Sequence, residues 1–566
     1  MKKYTLSFLF VFIVSFAMGQ TSLSNQAKSI LAQRGELCFY FNIPQNISME
    51  RISRIISIDN VNQNTVYAYA NKEAFQAFKE LGISYHIKED YYTKGNVTMA
   101  STMNDFILSW DTYPTYYQYD SLMQKLANDY PDLCNYHVLG TLPSGRKILA
   151  LQIGDQVNTI EQEPRFLYTS TMHGDELTAY VLMLRLANYL LSNYGQNALV
   201  DSLMNNVEIW INPLANPDGA YFAGNTSLSS AKRYNGNYVD LNRNYPDPDD
   251  GQHPDGKVWQ PETIIFKAFA DSFGFNMAAN FHGGAEVANY PWDTWSKLTA
   301  DDSWWKYVCK EYADSAQANS ANGYFTGPSA AAGTGVINGY QWYPIVGGRQ
   351  DYMNYYQHCR EFTVELSNQK TPNASYLPYY WNANKSAMLY YIKQAQYGLQ
   401  GVVTDSISKQ PIKAKVFING HDQDESHVFS HLPMGDYYRY LDSAYYAITF
   451  SAPHYYSKTI DSVRIERGQM KKLDVALVPD YTAISNVEKE SFKMFPNPAN
   501  RMIHIQSQEA IAEISIYSVQ GMQLEYVKVN SLVNIDFDVS YLSTGVYLIQ
   551  LLDIYGNSST QKILIQ

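Results

Sequence analysis

Residues 166–176 read Phe166-Leu167-Tyr168-Thr169-Ser170-Thr171-Met172-His173-Gly174-Asp175-Glu176. The apolar residues 166–171 predict a buried β-strand, and residues 178–192 predict a long helix directly after it. A strand that leads through a short turn into a helix is the repeating unit of an α/β sheet. Because such sheets bind ligands beyond the ends of their strands, His173 and Glu176 stand where a functional site is expected.

The same alternation of apolar strands and helices extends over residues 104–397. Further strands are predicted at residues 207–211, 277–281 and 362–366. The second of these runs into His282, and the third contains Glu365. We therefore predict an α/β domain with a mixed sheet and helices on both faces.

His173, Glu176 and His282 have the composition of a catalytic zinc site. Two histidines and a carboxylate are protein ligands of zinc sites that leave the fourth position open for water. Alone, the His-x-x-Glu spacing is a weak signal, and a single histidine is more often a buried structural residue. The set gains weight because each member lies on or just after a predicted strand. We expect one Zn²⁺ in this domain, with Glu365 as a general base beside it.

Asn242 and Arg243 lie in a polar segment at residues 239–246. The planar fork of arginine binds a terminal carboxylate through two hydrogen bonds, which lysine cannot do. A solvated charged loop is the alternative interpretation. Beside a zinc site, a carboxylate clamp predicts an enzyme that removes the last residue of a peptide.

The composition favours an exported protein. Subtracting 54 acidic from 42 basic residues gives a net charge of −12, so neither nucleic acid nor an anionic membrane surface is a natural partner. Lys2 and Lys3 precede the apolar residues 6–16 and the small residues 17–19, which predicts a signal peptide at residues 1–19. No other stretch predicts a membrane span. The four cysteines follow no metal-binding or disulfide pattern, so one bridge and buried free thiols both stay open.

Residues 20–100 predict a small α+β domain without catalytic residues. A strand is expected at residues 66–70, then Asn71 as the N-cap of a helix at residues 72–80, Gly82 as its stop, and a strand at residues 83–87. This domain is either a pro-segment that shields the active site or an accessory domain. We favour the accessory domain.

After residue 397 the pattern changes to short alternating strands. Strands at residues 413–418, 445–450 and 471–477, without a helix pattern, predict a small β-sandwich at residues 398–480. A polar linker near residues 480–490 leads to a last β-sandwich module at residues 485–566. That module opens with Phe495-Pro496-Asn497-Pro498-Ala499.

Residues 104–397 resemble a zinc metallocarboxypeptidase of the carboxypeptidase A/B family, and most closely its regulatory branch, which includes carboxypeptidases D, E, M and N. The matching stretches occur in the family's order: residues 173–176, 216–219, 240–244, 281–284, 338–343, 347–351 and 363–366. The resemblance implies zinc bound by His173, Glu176 and His282. It also implies that Glu365 activates the attacking water and later passes the proton to the leaving amine.

The resemblance assigns the remaining site residues as well. Arg233 would stabilise the oxyanion, and Asn242 with Arg243 would grip the C-terminal carboxylate of the substrate. Tyr343 would close over the bound residue, helped by the flexible residues 333–335.

A preference for basic residues is a further implication of the regulatory branch. Asp293, eleven residues after His282, and Gln350 match the polar residues of the pocket that binds Lys or Arg side chains. A surface aspartate at a turn is the alternative for Asp293. Arg349 departs from the methionine usual in that branch, and either weakens the basic preference or points away from the pocket.

The C-terminal modules carry two further resemblances. Residues 398–479 resemble the transthyretin-like domain that follows the catalytic domain in the same branch. The last module resembles the C-terminal sorting domain of type IX secretion in Bacteroidota, which implies export by that machinery and cleavage or attachment at the cell surface. An ordinary β-sandwich for carbohydrate or protein binding is the alternative.

The sequence thus predicts a secreted or cell-surface zinc carboxypeptidase that releases C-terminal Lys or Arg from peptides and proteins. One rival is the same fold acting on cell-wall or acidic peptide tails, against which Asp293 argues. The other rival is a catalytically inactive peptide-binding homologue. The presence of all the catalytic and clamp residues together argues against it.

Overall fold

The computed structural model describes residues 25–88, 97–321, 323–480, 492–518, 523–554 and 558–566. The predicted signal peptide and most of the predicted linker lie outside these residues. The chain forms two compact units, Met1–Pro479 and Asp480–Gln566. The first contains the candidate site.

Residues 25–88, the first described part of this unit, form a four-stranded antiparallel sheet with three helices. The sheet order is β2-β3-β1-β4. The strands are β1 (Leu37–Asn42), β2 (Ser57–Asn62), β3 (Thr65–Ala70) and β4 (His86–Ile87), and the helices are α1 (residues 25–34), α2 (Met49–Ser53) and α3 (Lys72–Glu80). The α3 prediction is confirmed at both ends: the Asn71 side chain accepts a hydrogen bond from the Ala74 amide, and Gly82 follows with a φ of +69°. The predicted strand at residues 83–87 is wrong in length, because only His86–Ile87 pairs with β1.

The second part is an eight-stranded mixed sheet in the order β11-β10-β12-β9-β7-β8-β6-β5. Its strands are β5 (Cys134–Thr141), β6 (Lys147–Ile153), β7 (Arg165–Ser170), β8 (Glu208–Asn212), β9 (Met277–His282), β10 (Glu286–Tyr290), β11 (Val336–Asn338) and β12 (Arg360–Leu366). Its helices are α4 (Met103–Ser109), α5 (Tyr116–Asp129), α6 (Thr178–Asn193), α7 (Ala198–Met204), α8 (Pro217–Ala220), α9 (Pro261–Phe273), α10 (Asp302–Ala318), α11 (Gly339–Trp342), α12 (Arg349–Tyr355) and α13 (Leu377–Gln394).

Helices cover both faces of this sheet, as the sequence predicts. Successive side chains of a strand point to opposite faces. In β9, Met277 and Ala279 pack into a core that contains α6, α10 and α13, while Ala278 packs with α9 on the other face. This double burial explains why the central strands are almost entirely apolar.

Strands β7, β9 and β12 are adjacent and parallel, so their ends meet at one edge of the sheet. His173 follows β7, His282 ends β9, and Glu365 lies near the end of β12. Glu365 and His282 are direct register partners. The sheet alone therefore brings the candidate catalytic residues together.

Residues 398–479 form two small sheets that enclose a common apolar core. One contains β13 (Gly398–Asp405), β16 (Asp436–Arg439), β19 (Met470–Lys472) and β20 (Val475–Leu477); the other contains β14 (Lys415–Ile418), β15 (Val428–Phe429), β17 (Ala444–Ser451) and β18 (Lys458–Ile465). The strand predicted at residues 471–477 is in fact two short strands, which pair with successive segments of β13.

The second unit is a five-stranded antiparallel sheet. Its strands are β21 (Phe492–Phe495), β22 (Met502–Ser518), β23 (Gln523–Asp538), β24 (Gly545–Asp553) and β25 (Ser558–Ile565).

All four cysteines lie in the first unit and are buried, and none of them forms a disulfide. Within the described residues, no helix combines the length and apolarity needed to cross a bilayer.

Candidate active site

The three predicted metal ligands converge on one buried point. His173 Nδ1 lies 2.9 Å from Glu176 Oε1, and His282 Nδ1 lies 2.8 Å from Glu176 Oε2. The two Nδ1 atoms are 3.0 Å apart. Two imidazole nitrogens and a carboxylate at this separation suit a tetrahedral zinc ion with one open position. The donor set fits Zn²⁺.

Each imidazole also contacts a polar side chain through its second ring nitrogen. His173 Nε2 donates to Asp240 Oδ1 at 3.1 Å, and His282 Nε2 lies 2.7 Å from the side-chain amide of Asn280. Such outer partners fix which nitrogen of a ligating histidine faces the metal. Burial alone raises the pKa of Asp240, but Arg233 and His173 hold it well below its ordinary value. Asp240 is therefore a permanent negative charge behind the ligand.

Glu365 has the properties of a proton acceptor. Its Oε2 atom is buried and has no hydrogen-bond partner among the described residues. Burial and the neighbouring Glu176 raise the pKa of Glu365 well above its ordinary value. An unsatisfied carboxylate oxygen beside the histidine cluster can accept a proton from a nearby water.

One cavity contains nearly all of the predicted site residues. Besides Asp59, Asn289, Ile345 and Thr363, its lining includes His173, Glu176, Arg233, Asn242, Arg243, His282, Asp293, Tyr343 and Glu365. Gln350 does not line it directly, but its Nε2 donates to Asp293 Oδ1 at 3.0 Å. The predicted site residues thus form one connected group.

The pocket around Asp293 is rich in buried oxygen acceptors. The side-chain oxygens of Gln350 and Asn289 are buried without a hydrogen-bond partner in the described chain. A Cβ atom at Gly339 would lie 1.8 Å from Asp293 Oδ1 and 3.0 Å from Asn289 Oδ1, so only glycine fits there. Unsatisfied acceptors next to a carboxylate are suited to a cationic side chain.

Arg349 does not contribute a charge to this pocket. Its guanidinium forms a buried bidentate pair with Glu361, at 3.0 and 2.8 Å. Of the two possibilities that the sequence leaves open, the structure therefore supports the one in which Arg349 points away. Its backbone amide donates to Asn242 Oδ1 at 2.9 Å, which orients the clamp amide.

Strand β2 of the N-terminal sheet fills the cleft. Arg243 Nη2 donates to the Ile58 carbonyl at 2.9 Å, and the Tyr343 hydroxyl donates to the Asp59 carbonyl at 3.0 Å. The Asp59 carboxylate contacts Arg233 Nη1 at 2.8 Å and Lys370 Nζ at 2.7 Å. Each of these contacts engages a residue that faces the cavity or its rim.

Further contacts of β2 extend this docking along the cleft. Asn60 Nδ2 donates to the Gly284 carbonyl at 3.0 Å, and the Trp342 indole donates to the Val61 carbonyl at 3.1 Å. The apolar core of the N-terminal sheet is continuous with Trp342, Tyr343 and Ile345. The N-terminal sheet is thus packed onto the site itself rather than beside it.

Comparisons with known proteins give the family. The family model for zinc carboxypeptidases matches residues 119–387. Mouse (Mus musculus) carboxypeptidase M is 32% identical over 385 residues, a match that covers 65% of this chain and 86% of the relative. The chain belongs to the zinc carboxypeptidase family. The sequence interpretation is confirmed in this respect.

Two other known proteins are similar to this chain over different shares of their own length. Carboxypeptidase D of Drosophila melanogaster is 32% identical over 389 residues, but this zinc carboxypeptidase spans only 27% of that relative's length. The crystal structure of carboxypeptidase A from Helicoverpa armigera aligns with a TM-score of 0.48 and 18% identity, over 64% of this chain and 97% of that chain.

The model of a secretion system C-terminal sorting domain matches residues 493–566. This zinc carboxypeptidase is therefore an exported protein, secreted or held at the cell surface, as the sequence predicts.

Four residues of the site were not identified from the sequence. Asn280 has a local signal, because it lies two residues before His282 on the same face of β9. Asp240 is close to the clamp, and Lys370 follows Glu365 by five residues in the loop after β12. Asp59 has no local signal, since its role depends on how two separate sheets meet.

Replacement of Asp240 by Asn is expected to weaken zinc binding by about 10–100-fold, the usual effect of removing the outer partner of a ligating histidine. Zinc affinity would be measured by competition with a chromogenic chelator. Asp120→Asn is the matched control, because Asp120 pairs with Lys147 and Tyr136 away from the site. Equal zinc affinity for Asp240→Asn and the wild type would contradict the orienting role of Asp240.

Proposed function

We propose that this protein is a zinc-dependent exopeptidase that hydrolyses the C-terminal peptide bond and releases Lys or Arg. The observation that carries the proposal is one cavity lined by a metal-ligand triad, an unpartnered carboxylate, an arginine clamp and an acidic pocket. Each of these parts has a separate task in carboxyl-terminal hydrolysis.

The clamp explains the restriction to chain ends. Arg243 lies at the cleft with a buried Nε that has no partner among the described residues, and Asn242 is oriented by the Arg349 amide. The free carboxylate of a peptide matches this pair of donors, whereas an internal peptide bond offers no such anion. Tyr343 lies over the same cavity and can cover the bound residue.

The hydrolysis itself is assigned to Glu365 and Arg233. When bound by His173, Glu176 and His282, zinc lowers the pKa of water and polarises the scissile carbonyl. Glu365 takes a proton from the attacking water and later gives it to the leaving amine. Arg233 is oriented by Asp240, at 3.0 Å, and directs its Nη1 atom into the cleft toward the developing negative charge.

Replacement of Glu365 by Gln is expected to lower kcat by about 10²–10⁴-fold, the usual contribution of a positioned general base. The shape of the side chain is kept, so zinc content and substrate binding should stay near the wild-type values. Steady-state kinetics and metal analysis would test this. Glu286→Gln is the control, because Glu286 lies on the neighbouring strand β10 and outside the cavity. A Glu365→Gln variant with normal turnover would remove the base assignment.

Specificity for basic residues is assigned to Asp293, with Asn289 and Gln350 as additional acceptors. The pKa of Asp293 is raised to about 7, chiefly by burial, because the lowering effects of Arg243 and of a hydrogen bond with Asn289 are outweighed by burial together with Asp247 and Glu361. A bound Lys or Arg side chain stabilises the charged form of this carboxylate. Because Asp293 takes up a proton below pH 7, the preference for a charged side chain should weaken as the pH falls.

The expected measurement compares peptides that end in Arg with peptides that end in citrulline, its neutral isostere. The ratio of the two kcat/KM values should fall by up to about tenfold per pH unit below pH 7. The ratio cancels the titration of Glu365, which both substrates share. Asp293→Asn should abolish both the preference and its pH dependence. Preferred release of Phe or Glu would instead contradict the basic specificity.

We also propose that residues 25–88 are an inhibitory pro-segment. Of the two interpretations that the sequence leaves open, the contacts support this one, because β2 engages Arg233, Arg243 and Tyr343 at the same time. These residues are assigned to the oxyanion, the substrate carboxylate and the closing motion. A substrate cannot reach them while β2 is in place, so the full chain is expected to be latent.

Replacement of Asp59 by Ala is expected to raise the activity of the full chain by about 30-fold, which corresponds to about 2 kcal/mol lost from a buried charge pair. Hydrolysis of an Arg-ended peptide would be measured before and after limited trypsin digestion. Arg54→Ala is the control, because its ion pair with Asp250 at the same interface is partly exposed to solvent and is expected to contribute little. A wild-type chain that is fully active before digestion would refute the latency.

The two C-terminal modules are proposed to support and export the enzyme. Residues 398–479, as a transthyretin-like domain, pack against the catalytic domain; for example, Arg439 pairs with Asp301 at 2.9 Å. The second unit is assigned to recognition by the secretion machinery.

A further inference from the structure

Two cations of the catalytic domain share a single anionic oxygen. Asp59 Oδ1 lies 2.8 Å from Arg233 Nη1 and 2.7 Å from Lys370 Nζ. Both cationic side chains are largely buried. The Tyr69 ring of the N-terminal sheet faces the same two cations, at 5.1 Å from Arg233 Cζ and 5.4 Å from Lys370 Nζ. The N-terminal sheet therefore provides an anion and an aromatic face to one two-cation position.

Lys370 is fixed at this position by the catalytic domain. Its Nζ donates to the Gly283 carbonyl at 2.9 Å and contacts Glu176 Oε1 at 2.5 Å. The backbone of Gly284 passes beside it: a Cβ there would lie 3.3 Å from Lys370 Nζ and 3.5 Å from Asp59 Oδ2. The ammonium group is thus held beside the metal ligands independently of Asp59.

Removal of Asp59 would leave Arg233 and Lys370 with the carboxylates of the catalytic domain as their anionic neighbours. Arg233 uses its Nε for Asp240, and its Nη1 atom faces the cleft with Glu176 Oε1 at 3.6 Å, beyond hydrogen-bond distance. Lys370 keeps Glu176, which is itself assigned to the metal. Two cationic groups that point at the same place in a buried cleft favour the binding of a single anionic oxygen between them.

We propose that Lys370 is a second oxyanion-binding residue, which acts with Arg233 on the reacting carbonyl oxygen, and that Asp59 occupies this position in the latent chain. The inference rests on the proposed carboxypeptidase activity and adds a catalytic residue to it. The Asp59 carboxylate then resembles the charged oxygen of the transition state.

The steps of peptide hydrolysis define the stage at which the carbonyl oxygen is an anion. The water oxygen bonds to the carbonyl carbon, Glu365 removes the proton, and the electron pair of the C=O double bond moves onto the carbonyl oxygen. When the C–N bond breaks, this pair re-forms the double bond and the amine takes the proton from Glu365. Lys370 and Arg233 favour the intermediate stage, because only there does the oxygen carry a full charge.

A purely structural role of Lys370 predicts a different outcome. Through its contact with Glu176, the lysine could serve only to orient a metal ligand. In that case its loss would lower zinc affinity, and saturating zinc would restore kcat. If Lys370 served only to hold the N-terminal sheet through Asp59, its loss would relieve latency. The activity of the trypsin-activated enzyme would then stay unchanged.

The test uses full-length Lys370→Met and Lys370→Arg variants, activated by limited trypsin digestion and assayed at saturating zinc. For Lys370→Met we expect kcat to fall by about 100-fold, the usual effect of losing one oxyanion donor, with KM nearly unchanged. Affinity for a phosphonate peptide analogue, which carries a charged tetrahedral centre, should fall by a similar factor. Lys370→Arg should recover part of both losses, because it keeps the charge.

Lys297→Met is the matched control, since Lys297 forms an exposed pair with Asp424 at the surface. Unchanged kcat and phosphonate affinity in Lys370→Met would overturn the proposal, and so would full recovery of kcat by added zinc. Failure of the carboxypeptidase assignment would be recognised separately, as an activated wild-type enzyme that hydrolyses none of the peptides.

Discussion

The register between β9 and β12 is the constraint on which the site depends. Parallel pairing places Glu365 directly beside His282, so the proposed base and a predicted metal ligand are neighbours before any loop is considered. Strand β7, on the other side of β9, ends close to His173. A shift of one residue in either pairing would turn the side chain to the opposite face of the sheet. The continuous apolar cores on both faces hold this register in place.

The charged side chains that meet at this edge of the sheet are balanced by short-range ion pairs. Asp240 links His173 to Arg233, and Lys370 links Glu176 to the N-terminal sheet. An uncompensated charge at such a buried position costs several kcal/mol, so each cation in the cleft needs an anionic partner. In the latent state that we propose, Asp59 adds one further anion to both cations, at 2.8 Å from Arg233 Nη1 and 2.7 Å from Lys370 Nζ. These two ion pairs support the proposal that residues 25–88 are a pro-segment held on the cleft by charge.

Much of this arrangement could be predicted from the sequence, because it depends on local patterns. The apolar strands before His173, before His282 and around Glu365 define the sheet, and Asn71 with Gly82 defines α3 at both ends. Short strands were less predictable: residues 83–85 stay outside β4 because its pairing with β1 covers only two residues. The orientation of Arg349 could not be predicted from the sequence. It depends on an ion pair with Glu361, which lies twelve residues later on the neighbouring strand β12.

The position of Asp59 in the cleft could not be predicted, because it arises from an irregularity in strand pairing. Between Ile58 and Asn60 the register of β2 with β3 shifts by one residue, so Asp59 has no partner across the strand pair. Such bulges redirect a side chain and are frequent near active sites. Here β2 is also the edge strand of its sheet, and its free side lies over the catalytic cleft. A strand that has one unpaired edge and one displaced carboxylate can occupy both the peptide-binding and the anion-binding positions that we propose. The latency that we propose therefore rests on the geometry of a single strand.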